Sequence, residues 1–165
     1  MIEKDAFVER YGGIFEHSPF VAERGYERLA SDQALTVSTV HLALCQAFRA
    51  ADRDERLGVL RAHPDLAGKL AISGGLTEAS KSEQAGAGLD RLSPAEHARF
   101  TELNDRYQRE FGFPFIIAVK GLGKDDILRA FEKRIKNTKP DEFATACNEV
   151  EKIALLRLKS MHPES

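Results

Sequence analysis

The sequence predicts an all-α fold, a single-domain helical bundle with one short extended segment, and three observations lead there. Apolar residues recur at helical spacing along most of the chain, and glycine and proline stand between those stretches as punctuation. One run, residues 113–121, is apolar and β-branched without that spacing. The 165 residues fit one domain, so 1–165 is read as a single domain around one core. With 42% hydrophobic and 30% charged residues, the chain has the composition of a soluble globular domain, neither disordered nor fibrous.

Each element has its own reason. Asp5 to Tyr11 forms a short helix stopped by Gly12 and Gly13. Ser18 followed by Pro19 is an N-cap and first-turn pair for a helix through Ala30. Thr36 to Ala51 carries the next helix, and Asp52 to Ala62 another. The latter ends at His63 because the residue before Pro64 is pushed out of the helical region. Thr77 to about Ala87 follows. "SPAE" at Ser93 to Glu96 is a capping box with proline at the first helical position, and Phe100, Leu103, Tyr107 and Phe111 run down one face to Gly112. "FPFIIAVKG", Phe113 to Gly121, is extended and buried. Asp125 to Lys136, with Ile127, Leu128, Phe131 and Ile135 on one face, and Pro140 to about Met161 complete the set.

Charge and motifs exclude several classes. A net charge of -2 without a basic stripe argues against nucleic acid as a partner. The first fifteen residues lack the apolar core of a secretory signal, and no stretch approaches a membrane span, so the chain is expected to be cytoplasmic. The terminal "MHPES" is not the peroxisomal tripeptide. Cys45 and Cys147 sit in helical patterns without a CxxC partner, as buried thiols of a reducing compartment do. No HExxH or Cys/His cluster supports a metal site, and GxSxG, GxGxxG and P-loop motifs are missing.

Three groups of residues carry possible chemistry. At 100° per residue, Phe143, Ala146, Val150, Ile153 and Met161 share a face of the last helix, and Arg157 falls within about 40° of all of them. A guanidinium there needs an anion or carbonyls around it, which makes Arg157 half of a structural ion pair, a side chain that snorkels to water, or a clamp for an anionic substrate. In "SKSEQ", Ser80, Glu83 and Gln84 have the i, i+3, i+4 spacing of one helix face, a site or a solvated surface. His63, in "HPDL", is the side-chain type best suited to exchange a proton near neutrality.

Taken together, "EHSPFVAER" at Glu16, "HPDLAGKLA" at His63, "LTEASKSEQAGAGLDRLSPAEHARFTELNDRYQREFGFPFIIAVKG" from Leu76, "RIKN" at Arg134 and "EVEKIALLRL" from Glu149 resemble one family. It is the 2-oxo-4-hydroxy-4-carboxy-5-ureidoimidazoline (OHCU) decarboxylases, cofactor-free enzymes that make (S)-allantoin in urate degradation. The resemblance covers nearly the whole chain; Phe20 departs from it, where members often carry tryptophan after "HSP". It implies an all-helical homodimer with no metal or cofactor, in which His63 is the catalytic histidine, assisted by Glu83. It further implies that Pro64, Ser80, Lys81, Ser82, Glu83, Gln84, the backbone of Phe115, Ile116, Ile117, Ala118 and Val119, and Arg157 line the substrate site. "HPD" between two helices is also the signature of a J-domain co-chaperone, in which His63, Pro64 and Asp65 would be a docking loop for an Hsp70. Such modules present a basic face before it, whereas "DRDERLGVLRA" mixes acids with bases.

Overall fold

Capping chemistry sets several of the helix boundaries in the computed structural model, which describes residues 2–68 and 74–162. Among these residues there are eight helices and no strand: α1 Lys4–Tyr11, α2 Phe20–Tyr26, α3 Val37–Ala50, α4 Arg53–Ala62, α5 Glu78–Gly86, α6 Pro94–Phe111, α7 Lys124–Arg134 and α8 Lys139–Met161. Thr36 caps α3 by accepting from the Thr39 N–H, and Thr77 caps α5 by accepting from Ser80 N–H. The predicted capping box is present at α6: Ser93 Oγ accepts from Glu96 N–H at 3.1 Å while Glu96 Oε1 accepts from Ser93 N–H at 2.8 Å. Gly112 closes that helix at φ 79°, a left-handed position that glycine occupies without strain.

Two helices depart from expectation. Ser18 does not cap α2 through its side chain, since its Oγ donates to Glu16 O; the helix starts at Phe20, with Pro19 ahead of it. The same helix stops at Tyr26 rather than Ala30 because the next bonds, Arg28 N–H to Gly25 O and Leu29 N–H to Tyr26 O, are tight i to i+3 turns. The end of α7 tightens likewise, at Lys136 N–H to Lys133 O and Asn137 N–H to Arg134 O. Residues 113–121 are non-helical as expected, and the stretch through Val119 is largely buried, but it joins no ladder.

The chain divides into two compact units. The first joins Met1–Ala62 to Val150–Ser165 and buries Phe7, Tyr11, Phe15, Leu44 and Phe48. Here α2 packs on α3 at Gly25, where a Cβ would stand 2.9 Å from Leu44 Cδ2. Tyr11 Oη and His162 Nε2 are 2.8 Å apart with their rings stacked. The second unit, His63–Glu149, is built on Phe100, Leu103, Tyr107, Phe115, Ile127 and Phe131. The Tyr107 ring meets Phe111, Phe113, Phe115 and Phe131, so the non-helical stretch is threaded into this aromatic core.

Candidate active site

His63 follows the last residue of α4 and is 7% exposed. The turn after it is held by amide side chains from two helices of the second unit. Gln84 of α5 uses both ends of its amide: Oε1 accepts from Ala67 N–H at 2.9 Å, and Nε2 donates to Asp65 O at 3.2 Å. Asn104 of α6 donates from Nδ2 to Leu66 O at 2.8 Å. Three consecutive residues of the "HPDLA" turn are thereby bound to side chains, as a buried backbone outside regular structure requires. Ala67 takes a left-handed φ of 54°, and at Gly68 a Cβ would stand 1.8 Å from Asp65 Oδ1, so any larger residue there would displace the Asp65 carboxylate. The remainder of the motif, residues 69–71, lies outside the described residues.

The spacing of "SKSEQ" does bring Ser80 and Gln84 to the buried face of α5, with Glu83 half-buried beside them and the helix tied through Gln84 to the His63 turn. Lys81 and Ser82 are exposed, and Pro64 is half-buried. Phe115, Ile116 and Val119 are buried, Ile117 and Ala118 half-buried. This stretch is fastened at three points: Ile116 O accepts from Arg134 Nη1 at 2.6 Å, Ala118 N–H donates to Glu149 Oε1 at 3.1 Å, and Val119 O accepts from Leu122 N–H at 2.9 Å.

Arg157 belongs to the first unit and is 7% exposed, in the apolar stripe where its periodicity placed it. Its Nη1 donates to Ile14 O at 3.3 Å, and Nη2 lies 3.8 Å from a carboxylate oxygen of the buried Glu16. The structural ion pair left open by the sequence is therefore present, and it aims the guanidinium whatever else it binds.

Sequence reasoning missed a second buried arginine. Arg134 donates to Glu142 from Nε and Nη2, at 3.1 Å and 2.9 Å to the nearest oxygens, and Tyr107 Oη and Asn137 Nδ2 complete the shell of that carboxylate. Burial pushes the Glu142 carboxyl up, but the hydrogen bonds from Arg134 and Tyr107 outweigh it and hold the group below its ordinary value. Burial and the bond to Glu142 together raise the Tyr107 phenol. A signal for Arg134 was available: it lies three residues after Phe131 and seven after Ile127, on the apolar face of α7. Asn104, Glu16 and Glu149 gave none, because what distinguishes them is a contact distant in sequence.

Among the described residues no group of His, Cys, Asp and Glu could hold a metal ion. The Cys45 thiol, buried and next to the Glu151 carboxylate, is pushed up to about 12, which removes it as a nucleophile.

Comparison with known proteins bears on this arrangement. A family model described as OHCU decarboxylase matches residues 1–159. A 2-oxo-4-hydroxy-4-carboxy-5-ureidoimidazoline decarboxylase of Haloferax volcanii is 42% identical over 157 residues, 95% of this chain and 89% of the relative. The crystal structure of an (S)-allantoin synthase superposes with a TM-score of 0.76 at 32% identity, covering 96% of this chain and 50% of the other, so the chain spans half of that protein. An OHCU decarboxylase crystallised in the presence of (S)-allantoin has a TM-score of 0.70 at 23% identity, covers 88% and 92% of the two chains, and shares the fold.

Proposed function

The chain belongs to the OHCU decarboxylase family and is a carboxy-lyase, and from that premise we propose that it converts OHCU to (S)-allantoin and CO2 with His63 moving the proton. In the substrate the carbon bearing the carboxylate also bears a hydroxyl and neighbours a ring C=N. When the C–CO2 bond breaks, its electron pair becomes a ring C=C bond while the imine π pair passes to nitrogen, which takes up a proton. The resulting enol becomes a carbonyl by losing its O–H proton, and the ureido-bearing carbon gains one. Because the substrate holds its own electron sink, no cofactor is needed, and the protein supplies positioning and proton transfer.

The observation that carries this reading is the turn at His63: a buried histidine at a helix end, its following backbone bound by Gln84 and Asn104. The backbone that carries this ring is fixed, which suits a group that delivers a proton to one face of a planar enol. We assign Glu83 the orientation of histidine or substrate. Arg157 and the 115–119 backbone bind the polar oxygens, with Pro64 and Ser80 to Gln84 as further lining. The same reading takes residues 1–165 as one domain, supported by a family model that runs across both compact units, and takes the chain as a cytoplasmic homodimer, as the resemblance implies.

The test is to generate OHCU in place from urate and follow allantoin by circular dichroism. Spontaneous reaction protonates the enol on either face and yields racemate, so wild type is expected to give an excess of (S)-allantoin. His63→Asn is expected to bind a substrate analogue nearly as well, yet lose most of kcat, by roughly 10²-fold or more, together with the excess. Near wild-type rate and chirality in that variant would remove His63 from the mechanism and point to Glu83.

A further inference from the structure

We propose that Arg134 is a positioning residue for the reaction: locked by Glu142 and Tyr107, it fixes the 115–119 backbone in the form that meets substrate. The proposal rests on the reading that this backbone binds the substrate.

Residues 114–119 belong to no helix and no ladder, so their peptide groups depend on side chains for partners in a largely buried place. Arg134 meets them twice. Its Nη1 donates to Ile116 O at 2.6 Å, and its guanidinium carbon lies 4.4 Å from the centre of the Phe115 ring, which stacks on Phe131 at 4.0 Å and 9°. The rest of the guanidinium is committed to Glu142, whose two oxygens accept from Arg134 Nε and Nη2, Tyr107 Oη and Asn137 Nδ2. A planar, bidentate pair fixes direction as well as charge, which a lysine ammonium cannot do. Glu149 then takes the Ala118 N–H at 3.1 Å.

Several backbone groups of the stretch are left open among the described residues, those of the buried Phe115 included. With Ile116 O, Ala118 N–H and Val119 O taken, both backbone groups of Ile117 remain without a hydrogen bond among the described residues. Ile117 is also one of the two half-buried residues of the stretch. Arg134 holds the peptide that carries the Ile117 N–H and Glu149 the one that carries the Ile117 C=O, so two fixed peptides present one donor and one acceptor, the complement of the amide-like N–H and C=O edge of a ureido or ring lactam. A buried ion pair is a costly means of stabilisation, often no better than apolar residues of similar volume, and what this one supplies is the geometry it enforces.

That cost supplies the test. The triple variant Arg134→Met, Glu142→Leu, Tyr107→Phe replaces the buried polar set with apolar residues of similar size, and is expected to keep its helical circular dichroism and a Tm within about 5 °C of wild type. With Ile116 O released, the Ala118 amide is expected to exchange with solvent about tenfold faster, and kcat/KM to fall by about thirtyfold or more, chiefly through KM. A folded triple variant with wild-type KM, or with unchanged exchange at Ala118, overturns the proposal. Should the triple variant not fold, Arg134→Lys keeps the charge beside Glu142 but loses the fork, and the same two readouts decide. A wild-type protein without turnover of OHCU would refute the proposed function instead, and amide exchange would then judge the role of Arg134 alone.

Discussion

Arg157 shows how far one residue can be read before a fold is known. Helical periodicity places it in an apolar stripe and says that it needs a partner, and burial confirms the placement. The partner, Glu16, lies 141 positions earlier and has no local signal, because ion pairs of that kind are made by tertiary packing. The same periodicity marks Arg134 and Glu142, which stand on the buried faces of their helices. Arg157→Lys keeps the charge opposite Glu16 but cannot reach both Glu16 and Ile14 O with a planar fork. It is expected to lower kcat/KM by roughly tenfold or more, about 1.4 kcal/mol of transition-state binding, with the fold intact. A variant that melts early while its folded fraction turns over normally would make Arg157 a structural residue alone.

At the scale of elements, the helices were legible because their ends carry local chemistry: Thr36, Thr77 and Ser93 as caps, Gly112 as a left-handed stop, and Pro64 ending α4 at Ala62. The stretch 113–121 was legible as non-helical, but its partners were not, since side chains of α7 and α8 take the place that a neighbouring strand would fill. Packing between helices is likewise invisible in sequence, as α2 on α3 illustrates. At Gly25 an added methyl would lie 2.9 Å from Leu44 Cδ2 and 3.4 Å from Ala43 O. Alanine improves helix propensity by up to about 1 kcal/mol, while overpacking a buried contact costs about 1–3 kcal/mol. Leu44 is fully buried and the other neighbour is backbone, so neither can give way easily, and the steric cost should win. Gly25→Ala is expected to lower stability to urea by about 1 kcal/mol; an unchanged or raised midpoint would show that α2 can shift.

Over the whole molecule, the paired carboxylates and the buried thiol bound the pH range of stability from opposite sides. Glu55 is drawn down to about 2, first by its bond to Arg24 and then by the Asp52 N–H. The Ser93 N–H and then Lys124 lower Glu96, and Glu142 is lowered by Arg134 and Tyr107 against the effect of burial. Each binds a proton less readily folded than unfolded, so its contribution is present above the ordinary carboxylate value near 4.5 and disappears as pH falls from there toward 2. Cys45 has the opposite sign: its folded value is raised from 9.0 to about 12, chiefly by burial, so the unfolded chain loses that proton first and stability declines as pH rises from 9. Tyr107, also raised, adds to the decline above 10. Tm is therefore expected to be level between about pH 5 and 9 and to fall on both sides. Glu142→Gln, of nearly the same shape, should flatten part of the acid limb and, because its bond helps raise Tyr107, part of the decline above pH 10, whereas Cys45→Ala should flatten the first part of the alkaline limb alone. Calorimetry across pH 2.5 to 11 separates the two, and a Tm that stays constant from pH 7 to 3 in wild type would show that these carboxylates are not held below their unfolded values.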